Sequence, residues 1–195
     1  MSLRALARRY SRRCPVVVLA AVLAAACAGS KATATRASIA RDRATAQSAA
    51  TALLRPFGLR IQRWSIDRRA FAGNTYELSV YAQPSRTQSI ATYAARFAPL
   101  TAAVVPALLR RYPDLAWIDL CQERAGKATG GGEPIPVTRV EISRRGAAAV
   151  DWRHADVATL LARNHADSAD VDIEVHFGIA DTTTWRRAIA QLRSG

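Results

Sequence analysis

The residues best equipped for chemistry crowd into one stretch of this chain, residues 151–181. It holds seven acids (Asp151, Asp156, Asp167, Asp170, Asp172, Glu174, Asp181), two arginines, and all three histidines, His154, His165 and His176. Imidazole and carboxylate are the donor set of many zinc sites, provided the ligands converge within about 2 Å of one ion. His154 and His165 stand eleven positions apart. On a continuous helix they share a face but lie about 16 Å apart, too far for a common ion. Asp172, Glu174 and His176 alternate along one strand face, where His165 could join them from the preceding turn. The same alternation also describes the polar side of a surface strand, and no His-x-His or HExxH spacing is present. The expectation is no metal and no cofactor, with His165, Asp172, Glu174 and His176 as the residues a metal would have to use.

Other chemistries find less support. No G-x-S-x-G elbow occurs for a nucleophilic serine, and no Walker or dinucleotide fingerprint occurs for phosphates. Gly130, Gly131 and Gly132 are followed by Pro134-Ile-Pro136 rather than by a helix, which predicts a hairpin loop. Cys121 sits in the apolar run Leu115-Ala-Trp-Ile-Asp-Leu-Cys121, the setting of a buried structural thiol. No residue is therefore assigned a catalytic role.

The elements that must position these residues follow from periodicity. Ile39, Ala46, Ala50 and Leu53 form a helical stripe over residues 36–54, ended by Pro56-Phe-Gly58. Residues 59–66 and 74–82 read as strands; in the second, Tyr76, Leu78, Val80 and Ala82 alternate with Glu77, Ser79 and Tyr81. Thr87 is the expected N-cap of an apolar helix running to Arg111, and Pro99 and Pro106 predict a kink or two consecutive helices there. Residues 115–122 are mostly apolar and read as a central strand, with 137–143 returning beside it. Residues 144–150 fit either more strand or an early helix. Asp151 is the expected cap of a helix bearing Val157, Leu160 and Leu161. Residues 171–177 alternate strictly, and a last helix from Asp181 or Thr182 presents Trp185, Ala188, Ile189 and Leu192. The order α-ββα-ββα-βα predicts an α+β fold: an antiparallel or mixed sheet of about five strands, with helices packed on one face. The tryptophans Trp64, Trp117, Trp152 and Trp185 fall in four elements, so core packing accounts for them unless two converge on an open face.

The N-terminus speaks to location. Residues 1–13 carry Arg4, Arg8, Arg9, Arg12 and Arg13 and no acid; residues 14–30 carry no charge and have an apolar centre at 16–26. A basic start, a short apolar stretch and small residues at a cleavage point describe a secretory signal. That apolar centre is about half the roughly 20 residues a spanning helix needs. Leu23-Ala-Ala-Ala-Cys27 resembles the lipobox of bacterial lipoproteins, with Ala24 where the family favours a branched aliphatic residue. The resemblance covers only these first thirty residues, and it implies lipidation of Cys27 and cleavage just before it. Ala26-Cys27-Ala28 also satisfies an ordinary A-x-A cleavage site, so plain secretion stays open. The expected division is a signal peptide at 1–26, a lipidated N-terminus and tether at 27–35, and one α+β domain at 36–195.

Charge is read after that division. The precursor carries 28 basic residues against 15 acids, a formal +13. Removing the five signal arginines leaves 23 against 15, or about +8. An exported chain with no basic, aromatic-interleaved motif is not expected to meet nucleic acid. Residues 36–69 hold eight arginines against Asp42 and Asp67, whereas 151–181 holds the acid excess. That asymmetry predicts contact of Arg36, Arg41 and Arg43 with an anionic membrane surface. The functional expectation is a non-catalytic, lipid-anchored envelope protein on the extracytoplasmic face, binding an envelope protein or glycan. The alternatives are a small exported hydrolase using the His/carboxylate residues, or a carrier with an apolar cavity.

Overall fold

A computed structural model describes residues 37–69, 75–124 and 134–194. The signal, Cys27, the tether, Arg36 and the triglycine lie outside the described residues. Five strands form one mixed sheet in the spatial order β1-β2-β3-β4-β5. They are β1 (Leu59–Arg68), β2 (Tyr76–Pro84), β3 (Leu115–Arg124), β4 (Ile135–Ser143) and β5 (Val171–Val175). Neighbours pair antiparallel except β2 and β3, which are parallel. That parallel pair follows from the connection, because a helix must carry the chain back across the sheet. The α+β class expected from the sequence is the fold observed, and β3 is central.

The crossover helix α2 (Ile90–Arg111) follows a first helix α1 (Arg43–Leu54). Helix α1 is shorter than the stripe implied: Ala46, Ala50 and Leu54 are buried along it, but Ile39 lies in the preceding turn. There the Asp114 carboxylate accepts from the Ser38 hydroxyl (2.7 Å) and the Ile39 amide (3.1 Å). A side chain from 75 residues away thus holds the turn, which local pattern cannot reveal. Gly58, at φ +65°, turns the chain out of the helix into β1.

Helix α2 corrects the expected kink. It is one continuous 22-residue helix containing both Pro99 and Pro106, and Ser89, not Thr87, caps it by accepting from the Thr92 amide. An internal proline costs about 3 kcal/mol. Against that stands a stripe of ten buried residues, including Phe97, Leu100, Val104 and Leu108, the larger of which contribute about 1.5–3 kcal/mol each. Both prolines also lie off the buried stripe, so the carbonyls they leave without amides, at Ala95 and Ala102, are not sealed in the core. By length and composition α2 could cross a membrane, but 56% of its most apolar window is buried within the fold. At its end the Arg144 guanidinium donates to the carbonyls of Leu109 (2.9 Å), Tyr112 (2.7 Å) and Leu115 (2.7 Å).

The ambiguous segment after β4 is helical: α3 (Arg144–Ala148), capped by the Ser143 hydroxyl on the Gly146 amide (2.9 Å). Gly146 is required there, because a Cβ would meet the Asp170 carbonyl at 2.6 Å. Helix α4 (Val157–Ala166) starts later than expected. Its cap is Asp156, accepting from the Thr159 amide (2.8 Å), while Asp151 holds a separate turn. Strand β5 stops at Val175 because Phe177 (φ 55°) and Gly178 (φ 74°) both turn left-handed. Helix α5 (Thr183–Ser194) buries Trp185 and Ala188, and the Trp185 ring lies 5.3 Å from that of Phe97. Leu192 is exposed instead of joining that face.

All the longer helices contribute to one core. Ala46, Phe97, Leu108, Leu160 and Trp185 pack with Leu78, Val80, Ile118, Leu120, Val140, Ile142 and Val171, the side chains of one sheet face. The other face is polar.

Candidate functional site

The expected acid and histidine residues do not assemble into a centre. His154 is exposed and bonded to Asp151 (2.8 Å); His165 and His176 are exposed at the ends of α4 and β5. Among the described residues no group of three or more His, Cys, Asp or Glu side chains could hold a metal ion. Most of the acids have structural partners. Asp156 caps α4, and Asp167 pairs with Arg163 (3.2 Å). Asp170, buried, accepts from the Ser143 hydroxyl and the Arg145 guanidinium, joining β4 and α3 to the start of β5. Hydrogen bonds hold the Asp151, Asp156 and Asp170 carboxyls below their ordinary range: from His154, from the Thr159 amide, and from Ser143 respectively. Asp172 and Glu174 do share the outer sheet face, in register with Glu141 and Arg139.

On that face the sheet assembles a charged lattice spanning all five strands. At its centre Arg139 donates twice to Asp119, Nε to Oδ1 at 2.8 Å and Nη2 to Oδ2 at 3.1 Å. The Asp119 side chain is 2% exposed, and it also accepts from the Tyr81 hydroxyl at 2.9 Å. The same guanidinium reaches Glu141 (3.5 Å) and Glu174 (3.7 Å). Arg69 bridges Glu77 (2.8 Å) and Glu141 (3.0 Å) with its Cζ 4.1 Å from the Trp117 ring centre. Arg63 donates to Glu123 at 2.6 Å with its Cζ 4.5 Å from the Tyr81 ring centre. The Glu123 side chain is wholly buried, and its Oε2 has no hydrogen-bond partner among the described residues.

Strand alternation puts these residues together. In register, Tyr81, Cys121 and Arg139 lie side by side, as do Ser79, Asp119, Glu141 and Asp172. The lattice is acidic: Asp67, Glu77, Asp119, Glu123, Glu141, Asp172 and Glu174 oppose Arg60, Arg63, Arg69 and Arg139. Among the described residues, seven carboxylates against four guanidiniums leave a formal −3 on this face, in a chain whose formal charge is +13. Two arginines of the basic 36–69 segment, Arg63 and Arg69, are thereby bound into the sheet. Arg41 and Arg43 are exposed near the N-terminal end of the domain.

Burial and ion pairing shift the titration of several groups in the lattice. Burial, then the Asp119 hydrogen bond, pushes the Tyr81 hydroxyl up to about 12. Burial, then the Glu123 and Asp119 charges, pushes the Cys121 thiol up to about 12, so it is protonated and unreactive at neutral pH. Burial, then Glu77, raises the Glu141 carboxyl, and the Asp119 hydrogen bond raises Arg139. The four tryptophans do not form a stacking pair on this face. Trp117 lies here, while Trp64, Trp152 and Trp185 pack against the core.

None of the lattice residues was a candidate from the sequence except Glu174 and Asp172. The signal was present as alternation of polar residues in four predicted strands, Asp119 interrupting an otherwise apolar one. What it lacked was the strand order. The molecule is thus a two-layer α+β sandwich with one helix-covered face and one ion-paired face. Comparison with protein-family models, with curated proteins and with solved structures gives no significant match.

Proposed function

We propose that this is an exported, lipid-anchored cell-envelope protein whose domain is a non-catalytic binding module, with the outer sheet face as its recognition surface. The location rests on the basic start, the short apolar stretch and Cys27. The binding reading is carried by one observation: the outer face is a self-paired lattice of guanidiniums, carboxylates and aromatic rings held on five strands. Such a surface offers preorganised donors and acceptors without an activated nucleophile. Its buried thiol stays protonated, and the histidines stand apart in solvent. The interior beneath the other face is filled by Leu78, Val80, Ile118, Val140 and Ile142, all fully buried, which argues against a carrier cavity there. The net −3 selects a neutral or cationic partner, and it keeps this face off anionic lipid.

Two measurements test the reading. Cys27→Ala should shift the protein from the membrane fraction to a soluble or uncleaved form, with loss of the acyl mass. A mature N-terminus at Gly29 carrying no lipid would refute the anchor. On the sheet face, Ser79→Arg and Glu174→Arg together should abolish co-purification of the bound envelope component, with the thermal melt unchanged. Retention of that component would move the recognition surface elsewhere.

A further inference from the structure

Charge is segregated between the two layers of this domain. Among the described residues, the five α-helices contain ten arginines and no acid, whereas the outer sheet face carries a formal −3. Several helix arginines are already engaged: Arg144 on carbonyls, Arg145 on Asp170, Arg163 on Asp167 and Arg111 against the Tyr112 ring. Helix α5 differs. Arg186, Arg187 and Arg193 are all exposed, and none has a hydrogen bond or ion pair among the described residues. Its contacts settle which way it faces. Helix α5 packs on α4 and α2, burying Trp185 against Phe97 and Ala188 beside it. The opposite side of α5 therefore points away from the core, on the far side of the molecule from the ion-paired lattice. Arg186 and Arg193 stand seven positions apart, which places them on one stripe about 10 Å apart along the axis. With Asp181 included, residues 181–194 carry a net +2. Leu192, beside Arg193, is 38% exposed; among the described residues only Phe177 is a comparably open large apolar side chain.

We infer that the outward face of α5 docks on an anionic phospholipid bilayer, so that the helix layer faces the membrane and the acidic sheet face is turned away from it. The three guanidiniums are spaced along a helix rather than gathered on one point, which suits a plane of headgroups better than a single anion. An anionic leaflet attracts each surface arginine in its own right, with no need for convergence. Arginine stems and an exposed leucine also suit the boundary between headgroups and acyl chains, where a basic amphipathic helix lies flat. The same surface repels the −3 of the lattice, so both layers favour one orientation. That orientation leaves the proposed recognition face open to an envelope partner. The choice of lipid as the anionic surface rests on the anchored reading; the unpaired basic face of α5 does not.

The experiment uses the full mature protein with nanodiscs of phosphatidylcholine, with or without phosphatidylglycerol, each doped with headgroup-spin-labelled lipid. Amides of residues 186–193 should relax faster in the phosphatidylglycerol discs, and those of β4 and β5 should not. The effect should fade as salt rises and the Debye length shrinks. Arg187→Gln should lower the docked-to-free ratio about fivefold, the contribution of one arginine at an anionic surface, and replacing all three by glutamine should lower it about a hundredfold. Arg187→Lys, which keeps the charge, should retain most of the ratio. Arg60→Gln, which removes an exposed arginine from the sheet face, should not lower it. Equal relaxation in neutral and anionic discs, faster relaxation at β5 instead of α5, or equal losses in Arg60→Gln and Arg187→Gln would overturn the inference. So would concentration-dependent shifts of α5 amides without lipid, which would mean that the helix meets the acidic face of a second copy. Intact mass of the same preparation reports the acyl group separately, so a missing anchor and a failure to dock are distinguishable results.

Discussion

The two faces of the sheet solve the same problem by opposite means. Leu120 and Cys121 are adjacent and both buried, yet Leu120 enters the helix-packed core and Cys121 sits among Asp119, Glu123, Tyr81 and Arg139. The core face gains stability from area removed from water, which is indifferent to direction and tolerant of shape. The lattice face gains little net stability from its ion pairs, because desolvation offsets most of the Coulomb attraction. What it acquires is a fixed pattern. Each guanidinium must find its carboxylates across strands, so a slip of one residue would break every bridge. The difference teaches that burial on the helix side holds the fold together, while the lattice side fixes a pattern of charges across the strands.

The contrast can be broken most strongly from the core. Leu120→Ala should destabilise the domain by about 3 kcal/mol, through lost transfer energy and a cavity, as read in urea melts. A loss under 1 kcal/mol would mean that the sheet and helices are not one core. Next comes the lattice. Asp119→Ala strands the Arg139 guanidinium, which is 28% exposed, and should cost about 2 kcal/mol. Replacing both with leucine should recover most of that loss. Full additivity of the two single effects would deny that the pair acts as a unit.

Smaller effects sharpen the picture. Asp156→Ala should cost about 1 kcal/mol by uncapping α4, and Asp151→Ala should cost less, contrary to the cap expected from sequence. Acid should act in the same direction. The Asp156 and Asp170 carboxyls titrate below their ordinary 3.8, so their contribution is full above that value and lost as pH falls through the depressed folded values. A urea midpoint independent of pH below 4 would contradict these bonds. At the alkaline end, Tyr81 should deprotonate near 12 rather than 10.0, visible as a late step in tyrosinate absorbance. Because its folded value is raised, the stabilisation is present below pH 10 and lost above it. Asp119→Asn should bring that step earlier.

The elements were legible in the sequence wherever a period ran without interruption. Alternation in β2 and β5 and the apolar run of β3 placed strands close to their observed positions. Single-residue boundaries were less legible. Ser89 replaced Thr87 and Asp156 replaced Asp151 as caps, because each pair offers an oxygen of the right kind and only the packed helix decides which amide it meets. The prolines of α2 misled for a related reason. Their local cost is real, but it is set against tertiary burial that no window of the chain contains.

The candidate site shows the division most plainly. By itself the sequence determined the α+β class and the order of the longer elements, since these depend on residues close together along the chain. It also supplied the polar partners, with Arg63, Asp119 and Arg139 each in a strand-like pattern. Only the tertiary structure decided that Arg63 would meet Glu123 sixty positions away, that Arg69 would bridge Glu77 and Glu141, and that Asp114 would tie the first turn to the sheet. The physical reason is that periodicity specifies which side of a strand a residue occupies, but not which strand lies beside it. Strand order is set by crossover connections and core packing, and the charges follow where the core puts them.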